Sequence, residues 1–494
     1  MDMLAGVASY LADPRFILFA FLGAAAGMLV GAIPGLSVSM ATALLVSITY
    51  SWEIGDALAS VMGVYVVGVY SGAVSAILIN IPGAPSSVVT TLDGYPMALR
   101  GEARKALRYA TVYSFVGSVF GLAALAVLAR PITAAALRFQ PIDYFLLSLF
   151  GLAAVGALTA KSFSRGLVSA LLGVLFALVG IDPVVGTPRL TFGIEGLKAG
   201  ISTVPALIGL FGLAEVLSCI SDGMADGECP AAEERSVPLR EVLRELPRSL
   251  WYCTVGTLVG ALPGAGGPVA SFLAYGEAKR IVRRPSRPFG EGAYEGIVAS
   301  ESANNACIGG ALIPMLTLAI PGDAVTAILL SVFHVHGLQP GPMFLRNDPA
   351  GFYAILAGGL LGCVFLLLLG TLAAKHVSRV ILIPKRLLLP VVAVLCVIGS
   401  YACSGRLFDV GVMLFFGVLG FLLRRRGFPV APVTLGLVLG GLMDASFRRA
   451  VSLASTADRF LPAMFGRPIT LVLLFAVAAT VIGNILRTRR RKVE

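Results

Sequence analysis

Charged side chains are scarce in this sequence of 494 residues, since Asp, Glu, Lys and Arg together make up only 13% of it. An ordinary soluble chain carries about 25% charged residues, so a water-soluble domain of any size is excluded. Apolar runs of about twenty residues recur instead, and each is long enough to cross the hydrocarbon core of a bilayer. We therefore predict an all-α polytopic membrane protein. Clear examples of these runs are 109–129, 141–160, 351–373 and 469–486.

Cysteine and histidine are also few, at seven and three residues. The cysteines form no CxxC pair and have no metal-ligand spacing, and three histidines leave little material for a metal centre. No HExxH motif and no nucleophile-bearing GxSxG motif is present. We therefore expect that the protein is not an enzyme, has no catalytic residues and holds no metal or cofactor. An intramembrane enzyme is the least favoured alternative.

Positive charge is in excess, with 38 Lys and Arg and a net charge of +11. In polytopic proteins such residues gather in cytoplasmic loops and set the orientation, so the excess does not indicate a nucleic-acid partner. Placing the basic loop 100–108 in the cytoplasm puts most of the basic residues on that side. This path predicts about eleven transmembrane helices, with the N-terminus outside and the C-terminus inside. Its other crossings include 164–181, 200–218 and 296–320.

The apolar segment 251–275 has basic residues on both flanks, so it should enter and leave the membrane on the same side. Its Pro263-Gly264 pair suits the tip of a re-entrant hairpin, because Pro removes a backbone donor and Gly frees the dihedral angles. We expect two such hairpin-like segments in the chain. A single kinked span is the alternative for 251–275.

Two stretches of the chain resemble each other in sequence and order. GAIPG at 31–35 matches GALPG at 260–264, and GAVSAILINIPG at 72–83 matches GALIPMLTLAIPG at 310–322 with one residue inserted. Each half therefore contains a first Pro-Gly break, a small-residue helix and a second Pro-Gly break. This pattern predicts an internal duplication.

The charges between the breaks are opposite in the two halves. The first copy has acids and no Lys or Arg there, whereas the second copy has five basic residues between Lys279 and Arg287. After the second break the bias reverses, so equivalent loops lie on opposite faces, as in inverted-topology repeats. The predicted domains are a first transmembrane repeat (1–220), a polar cytoplasmic linker (221–249), a second transmembrane repeat (250–445) and an extra C-terminal helix with a basic tail (446–494).

Three longer strings surround these breaks, NIPGAPSSVVTTLDGYPMALRG (80–101), ESANNACIGGALIPMLTLAIPG (301–322) and HGLQPGP (336–342). In this order they closely resemble the large permease subunit of tripartite tricarboxylate transporters, the TctA family. The resemblance implies a multi-pass permease of the bacterial inner (plasma) membrane. It also implies a small membrane subunit (TctB-like) and a periplasmic solute-binding protein (TctC-like) as partners. The implied activity is import of a di- or tricarboxylate, driven by a gradient of Na+ or H+.

A carboxylate must lose water to cross, and free backbone N–H groups at helix N-termini could replace that water. Helix breaks inside the membrane expose such groups where protein or a water-filled cavity surrounds them. The predicted substrate-binding residues are those of the four breaks and the hydroxyl and amide side chains beside them: Pro34, Gly35, Ser37, Ser39, Asn80, Pro82, Gly83, Ser86, Ser87, Thr90, Pro263, Gly264, Gly266, Ser302, Asn304, Asn305, Pro321, Gly322 and Thr326. Side-chain oxygens could also hold a sodium ion, and the predicted ligands are Asn80, Asn304, Asn305 and Asp323.

Each of these predictions has a structural alternative. A Pro-Gly pair in a membrane helix is often only a kink. Asn304 and Asn305 could simply form hydrogen bonds between helices, and Ser86 and Ser87 could cap a helix after the break. A channel or a purely structural membrane subunit is the alternative function.

Acids within or beside apolar runs indicate function by default, because burying them is costly. Glu301, Asp323 and Glu215 are acids of this kind. We interpret Glu215 as structural, because it lies close to the predicted cytoplasmic end of its span. Asp93, in the LDGYPM string, is expected to shape its loop rather than to contact substrate.

Overall fold

The predicted all-α membrane fold is confirmed by a computed structural model, in which the described elements are helices apart from one pair of short strands. Within the described residues, six helices are long and apolar enough to cross a membrane, and the chain is a multi-pass membrane protein. Six further apolar helices are shorter, so the total of about eleven crossings stays a prediction. The structure describes residues 3–33, 36–158, 163–182, 186–221, 237–380, 385–402, 405–454 and 465–490.

The helices before the predicted linker include one for each crossing that hydropathy predicts there. They are α1 (Met3–Leu11), α2 (Pro14–Ala32), α3 (Val38–Ile48), α4 (Ile54–Ile79), α5 (Val88–Leu99), α6 (Ala103–Ala136), α7 (Pro141–Leu158), α8 (Phe163–Ala177), α9 (Glu195–Lys198), α10 (Thr203–Leu207) and α11 (Ala214–Ser221). A π-helical segment, Ile208–Leu213, joins α10 to α11. Two 3-10 turns are Thr49–Ser51 and Pro85–Ser87, and the antiparallel strands, which the sequence did not indicate, are β1 (Gly180–Ile181) and β2 (Pro188–Arg189).

The helices after the predicted linker follow a similar order. They are α12 (Leu239–Val242), α13 (Leu246–Gly260), α14 (Gly266–Ile281), α15 (Tyr294–Leu318), α16 (Ala324–Val335), α17 (Phe344–Asn347), α18 (Pro349–Val380), α19 (Lys385–Ala402), α20 (Leu407–Arg425), α21 (Ala431–Ala454) and α22 (Pro468–Arg490). A further 3-10 turn is Leu243–Glu245. Most of the predicted linker, 222–236, lies outside the described residues, and the boundary predicted at 445 falls inside α21.

Two long helices, α4 and α15, form the centre of the protein, and nearly every residue of both is buried. Each ends at a residue in the left-handed conformation, Asn80 (φ 56°) after α4 and Ala319 (φ 58°) after α15. A Pro-Gly pair follows two residues later in both cases. Asn adopts this conformation readily at a helix end, and Pro cannot continue the helix. Both central helices therefore stop at the second break of their half.

Two hairpins carry the first breaks. Helices α2 and α3 flank the first, and α13 and α14 flank the second. At 1.5 Å per residue, α13 and α14 are about 22 and 24 Å long, which is less than the roughly 30 Å of a hydrocarbon core. Neither is among the described helices that are long and apolar enough to cross a membrane. The geometry of α13 and α14 agrees with a hairpin that enters and leaves on one side, whereas α2 of the first pair is long and apolar enough to cross.

The two halves interlock rather than lying side by side. The long helix α6 of the first half packs against α15 of the second, and α18 of the second packs against α4 of the first. The same exchange relates the broken helices, since α3 contacts α16 and α14 contacts α5. The equivalent elements thus make equivalent contacts, as the internal duplication predicts.

The remaining long helices form an outer group. Helix α8 packs against α21, and the π-helical segment beside α11 packs against α20. Charged side chains join elements of this group, including the pair Arg448–Asp182 at 2.7 Å and the pair Arg467–Asp143 at 2.5 Å. Glu215 also pairs with Arg424 of α20, which fits its interpretation as a structural residue.

Candidate functional site

The first break of the first half separates α2 from α3. Pro34 and Gly35 lie outside the described residues. Ser37 caps α3, because its hydroxyl accepts a hydrogen bond from the backbone N–H of Met40 at 3.1 Å. Ser39 is half-buried in the first turn of α3. The described part of this break therefore acts as a helix start.

The second break of the first half packs against the end of α2, next to the first break of the same half. Asn80 is exposed at the end of α4, and Pro82 is half-buried. A Cβ atom on Gly83 would lie only 2.0 Å from the carbonyl oxygen of Gly31. The second half repeats this contact, since a Cβ on Gly322 would lie 2.4 Å from the carbonyl oxygen of Gly260.

The first turn of α14 lies against both halves. Gly264, in the tight turn before it, and Gly266, its first residue, have positive φ angles of 73° and 59°, and Pro263 is buried. A Cβ on Gly267 would lie 2.4 Å from Oδ1 of Asn304 and 3.0 Å from Cβ of Ser86. The N-terminus of α14, the 3-10 turn at Ser86 and the middle of α15 therefore meet at one place.

The second break of the second half also reaches the first turn of α14, through Asp323. The carboxylate caps α16, accepting at Oδ1 from the backbone N–H of Thr326 at 2.8 Å and from the hydroxyl of Thr326 at 2.7 Å. Its Oδ2 accepts from the hydroxyl of Tyr65 on α4 at 2.5 Å. Gly266 lies beside it, since a Cβ there would be 3.3 Å from Cβ of Asp323. Pro321 and Gly322 are buried in the same break, and the Gly322 carbonyl accepts from the N–H of Gly264 at 2.7 Å.

Two fully buried polar atoms around the first turn of α14 have no hydrogen-bond partner among the described residues. They are the hydroxyl oxygen of Ser87 and the amide nitrogen of Asn304. Buried polar groups in proteins are almost always paired. The Asn304 side chain lies beside the N-terminus of α14, where backbone N–H groups are free. The Ser87 hydroxyl faces Gly72 of α4, in the 3-10 turn that packs on α14. Unpaired donors of this kind suit an anion.

A second layer of polar side chains lies one turn along the same helices. Thr90, three residues after Ser87, donates to Oε1 of Glu301 at 2.5 Å, and Glu301 is three residues before Asn304. Ser302 is buried on α13's side of α15, where the hydroxyl lies beside Cys253. Glu301 was not among the predicted site residues, although its place in an apolar run was the signal that could have identified it.

Of the four predicted sodium ligands, Asn304 and Asp323 both lie against the first turn of α14, and the other two point elsewhere. Asn80 is exposed, and Asn304 faces Gly267. Asn305 lies beside Gly117 of α6, and its amide nitrogen donates to the backbone carbonyl of Glu301 on its own helix at 3.0 Å. Asp323 is fully engaged by the donors described above. The predicted cation site at these residues stays a prediction.

Residues 282–293 form a loop of the second half, the 282–293 loop, that binds to the first half. Asp93 is buried, and its Oδ1 accepts from the backbone N–H groups of Gly290, Gly292 and Ala293 at 2.8–2.9 Å. Its Oδ2 accepts from the hydroxyl of Tyr275 at 2.9 Å. Asp93 thus holds this loop of the other half, whereas the string LDGYPM, which we expected to be its loop, is part of helix α5.

Charge strengthens the same attachment. Arg287 forms two hydrogen bonds with the Glu102 carboxylate, at 2.5 and 3.1 Å, and Arg100 donates to the backbone carbonyl of Glu291. The hydrogen bond from Arg287 lowers the pKa of Glu102, because it stabilises the ionised carboxylate. The loop therefore lies on the face of the protein that the basic residues predict to be cytoplasmic.

Comparison with known proteins agrees with this architecture. The model of the tripartite tricarboxylate transporter TctA family matches residues 17–435. A protein of Agrobacterium vitis, described as an uncharacterized 52.8 kDa protein in the TAR-I ttuC' 3' region, is 36% identical over 485 residues, which cover 97% of this chain and 96% of the relative. A second protein of that organism, described as an uncharacterized protein in the TAR-II ttuC' 3' region, is 38% identical over 196 residues, covering 40% of this chain and 81% of the relative. The chain therefore belongs to the tripartite tricarboxylate transporter TctA family.

Proposed function

We propose that this chain is the large permease subunit of a binding-protein-dependent secondary transporter, rather than an enzyme or a channel. It imports di- or tricarboxylates across the bacterial inner membrane, and an ion gradient drives the uptake. A small TctB-like membrane subunit and a periplasmic TctC-like binding protein complete the complex, and the binding protein delivers the substrate. The two halves act as inverted-topology repeats, with the C-terminus in the cytoplasm.

We place the carboxylate at the first turn of α14, between Ser87 and Asn304. The observation that supports this site is the pair of buried, unpartnered polar atoms on these two residues. The helix N-terminus adds backbone N–H groups and the positive end of the helix dipole. Neutral donors of this kind hold an anion without the strong ion pair that an arginine would form, so release on the far side stays fast.

The test is uptake of labelled citrate and other di- and tricarboxylates by the complete complex in proteoliposomes. Asn304→Ala removes one donor to a charged ligand, a hydrogen bond worth about 1.5–3 kcal/mol. At 1.4 kcal/mol per tenfold change, KM should rise roughly 10- to 100-fold. Asn347→Ala is the matched control, because Asn347 is exposed at the end of α17, and its KM should not change.

A carrier and a channel give different results in this assay. A carrier saturates with substrate and accumulates it only when an ion gradient is imposed. Flux that rises linearly with concentration and needs no gradient would contradict the proposed function. An unchanged KM in Asn304→Ala, with saturable uptake retained, would instead remove Asn304 from the site.

A further inference from the structure

A fully buried carboxyl group lies between the two halves, one helical turn from the proposed substrate site. Glu301 is in the middle of α15 and has no exposed surface. Its Oε1 accepts from the hydroxyl of Thr90 on α5 at 2.5 Å, and its Oε2 accepts from the hydroxyl of Ser114 on α6 at 2.9 Å. The amide nitrogen of Asn305 lies 3.3 Å from Oε2. Glu301 of the second half is thus held mainly by side chains of the first.

All three of these donors are neutral, and the ion pairs formed by the described residues do not include Glu301. An unpaired carboxylate in a water-free interior is costly, and it becomes neutral by taking up a proton. The surroundings of Glu301 therefore favour a group that exchanges a proton rather than one that stays ionised.

The titratable groups near this turn on the helices around Glu301 also bear no positive charge. On α6, Tyr113 next to Ser114 donates to the backbone carbonyl of Val242 at 2.5 Å, and the basic residues of α6 lie at least six residues from Ser114 along the helix. Tyr70 of α4 interacts electrostatically with Glu301, and its hydroxyl pairs with that of Thr111 at 2.7 Å. Asp93 of α5 and Tyr275 of α14 bond to each other at the 282–293 loop. Cys253 of α13 lies beside Ser302, and Asp323 at the start of α16 bonds to Tyr65 of α4 as described above. The described neighbours thus supply no counter-charge for a permanent carboxylate.

The hydrogen bonds can be satisfied in both protonation states. When Glu301 is ionised, the hydroxyls of Thr90 and Ser114 donate to it. When it is protonated, it can donate to Thr90, since a hydroxyl accepts as readily as it donates. Thr90 can then donate to Ser300, whose hydroxyl lies 3.2 Å away, and Ser300 can donate to the carbonyl of Ile297 at 3.2 Å. A residue that binds and releases a proton in every cycle needs such a reversible set.

The position of Glu301 links its charge to the proposed anion site. Glu301 and Asn304 are three residues apart on α15, and Thr90 and Ser87 are three residues apart on the chain that faces it. Residues at this spacing lie on the same face of a helix, about 4.5 Å apart along its axis. A carboxylate here repels a substrate carboxylate, whereas a protonated Glu301 does not. Anion binding and proton binding at these neighbouring sites therefore favour each other.

We propose that Glu301 is the proton-binding residue that couples uptake to a proton gradient. The inference rests on the proposed function and specifies its coupling ion. One proton adds to a carboxylate oxygen of Glu301 from the outer side, moves with the bound anion, and leaves to the inner side after the anion has been released.

The experiment compares two modes of citrate transport by the complete complex in proteoliposomes. Net uptake is driven by a pH gradient, alkaline inside, and counterflow exchange is measured at equal pH on both sides. In Glu301→Gln, net uptake driven by the pH gradient should fall at least tenfold, while counterflow persists and loses its dependence on pH. The amide keeps the size of the side chain and can accept from Thr90.

Glu295→Gln is the matched control, because Glu295 is a buried glutamate on the same helix whose partner is Ser286. Both transport modes should be retained in this variant. Ser114→Ala gives a second, independent measurement if Glu301→Gln does not assemble. Loss of this donor destabilises the ionised form of Glu301, so the pH profile of uptake should shift to higher pH.

The outcomes separate the two proposals. If the unchanged complex transports no carboxylate, the proposed function fails and the coupling role fails with it. If the unchanged complex transports citrate and Glu301→Gln still accumulates it under a pH gradient, only the assignment of Glu301 is overturned. Uptake driven by a sodium gradient alone, or a pH profile that Ser114→Ala leaves in place, would also overturn that assignment.

Discussion

The glycines of the second breaks should be irreplaceable even by alanine. A Cβ on Gly322 would lie 2.4 Å from the carbonyl oxygen of Gly260 and 2.6 Å from Cα of Ala311, and both of these are backbone atoms. A Cβ on Gly83 would lie 2.0 Å from the carbonyl oxygen of Gly31. Since atoms pack best at about 3.5 Å, each break would have to move by roughly 1 Å away from its hairpin.

Backbone atoms cannot rotate away as a side chain can, so the helices themselves would have to move apart. Overpacking a close contact typically costs about 1–3 kcal/mol, and sometimes more. Gly83→Ala and Gly322→Ala should therefore lower the thermal midpoint of the purified protein in detergent, measured by fluorescence-detected size exclusion. Both should also reduce uptake, because the same breaks position the first turn of α14 and Asp323.

Gly276→Ala is the control for these variants. Gly276 lies inside α14 with no atom near the position of its missing Cβ, and alanine favours a helix over glycine by about 1 kcal/mol. Its midpoint should stay the same or rise. If Gly83→Ala and Gly322→Ala were as stable and as active as the unchanged protein, the close packing of break on hairpin would be refuted.

Two further substitutions test single features of the fold. Ala319 has a left-handed conformation, which costs a non-glycine residue about 1–2 kcal/mol, so Ala319→Asn should raise the thermal midpoint. Asn80→Ala, at the equivalent end of α4, should lower it. Midpoints equal to that of the unchanged protein would show that this conformation is not strained. Asp93→Ala leaves three backbone N–H groups of the 282–293 loop without an acceptor, at about 1 kcal/mol or more each. Trypsin should therefore cut after Arg283 in this loop faster than in Asp93→Asn, which keeps the accepting oxygen. Equal rates would show that Asp93 does not hold the loop.

Much of this fold can be predicted from local sequence signals. Apolar runs identified the crossings, and Pro-Gly pairs identified the places where helices stop, because proline and left-handed residues act on the backbone at their own position. The reversed charge bias indicated two oppositely oriented halves, and these halves remain a prediction as domains. The short strands at 180–189 were missed, since two-residue strands leave no periodic pattern.

The contacts of the candidate site could not be predicted in the same way. Tyr65 and Asp323 are 258 residues apart in sequence, and Thr90 and Glu301 are 211 apart. Each bond depends on the exchange of helices between halves, which no local pattern encodes. The sequence indicated which residue types surround the breaks, whereas the pairing that leaves Ser87 and Asn304 free became visible only in three dimensions.

These two bonds also constrain how the protein can move. If the halves rocked apart, Asp323 would lose the Tyr65 hydroxyl and Glu301 would lose Thr90 and Ser114, which would leave two carboxyl groups poorly paired in the interior. A buried charge without partners costs several kcal/mol. Movement of the interlocked helices α2–α6 and α13–α18 as one body, against the outer helices, breaks neither bond. The packing therefore favours this second motion, and spin-label distances between α5 and α14 that change during transport would contradict it.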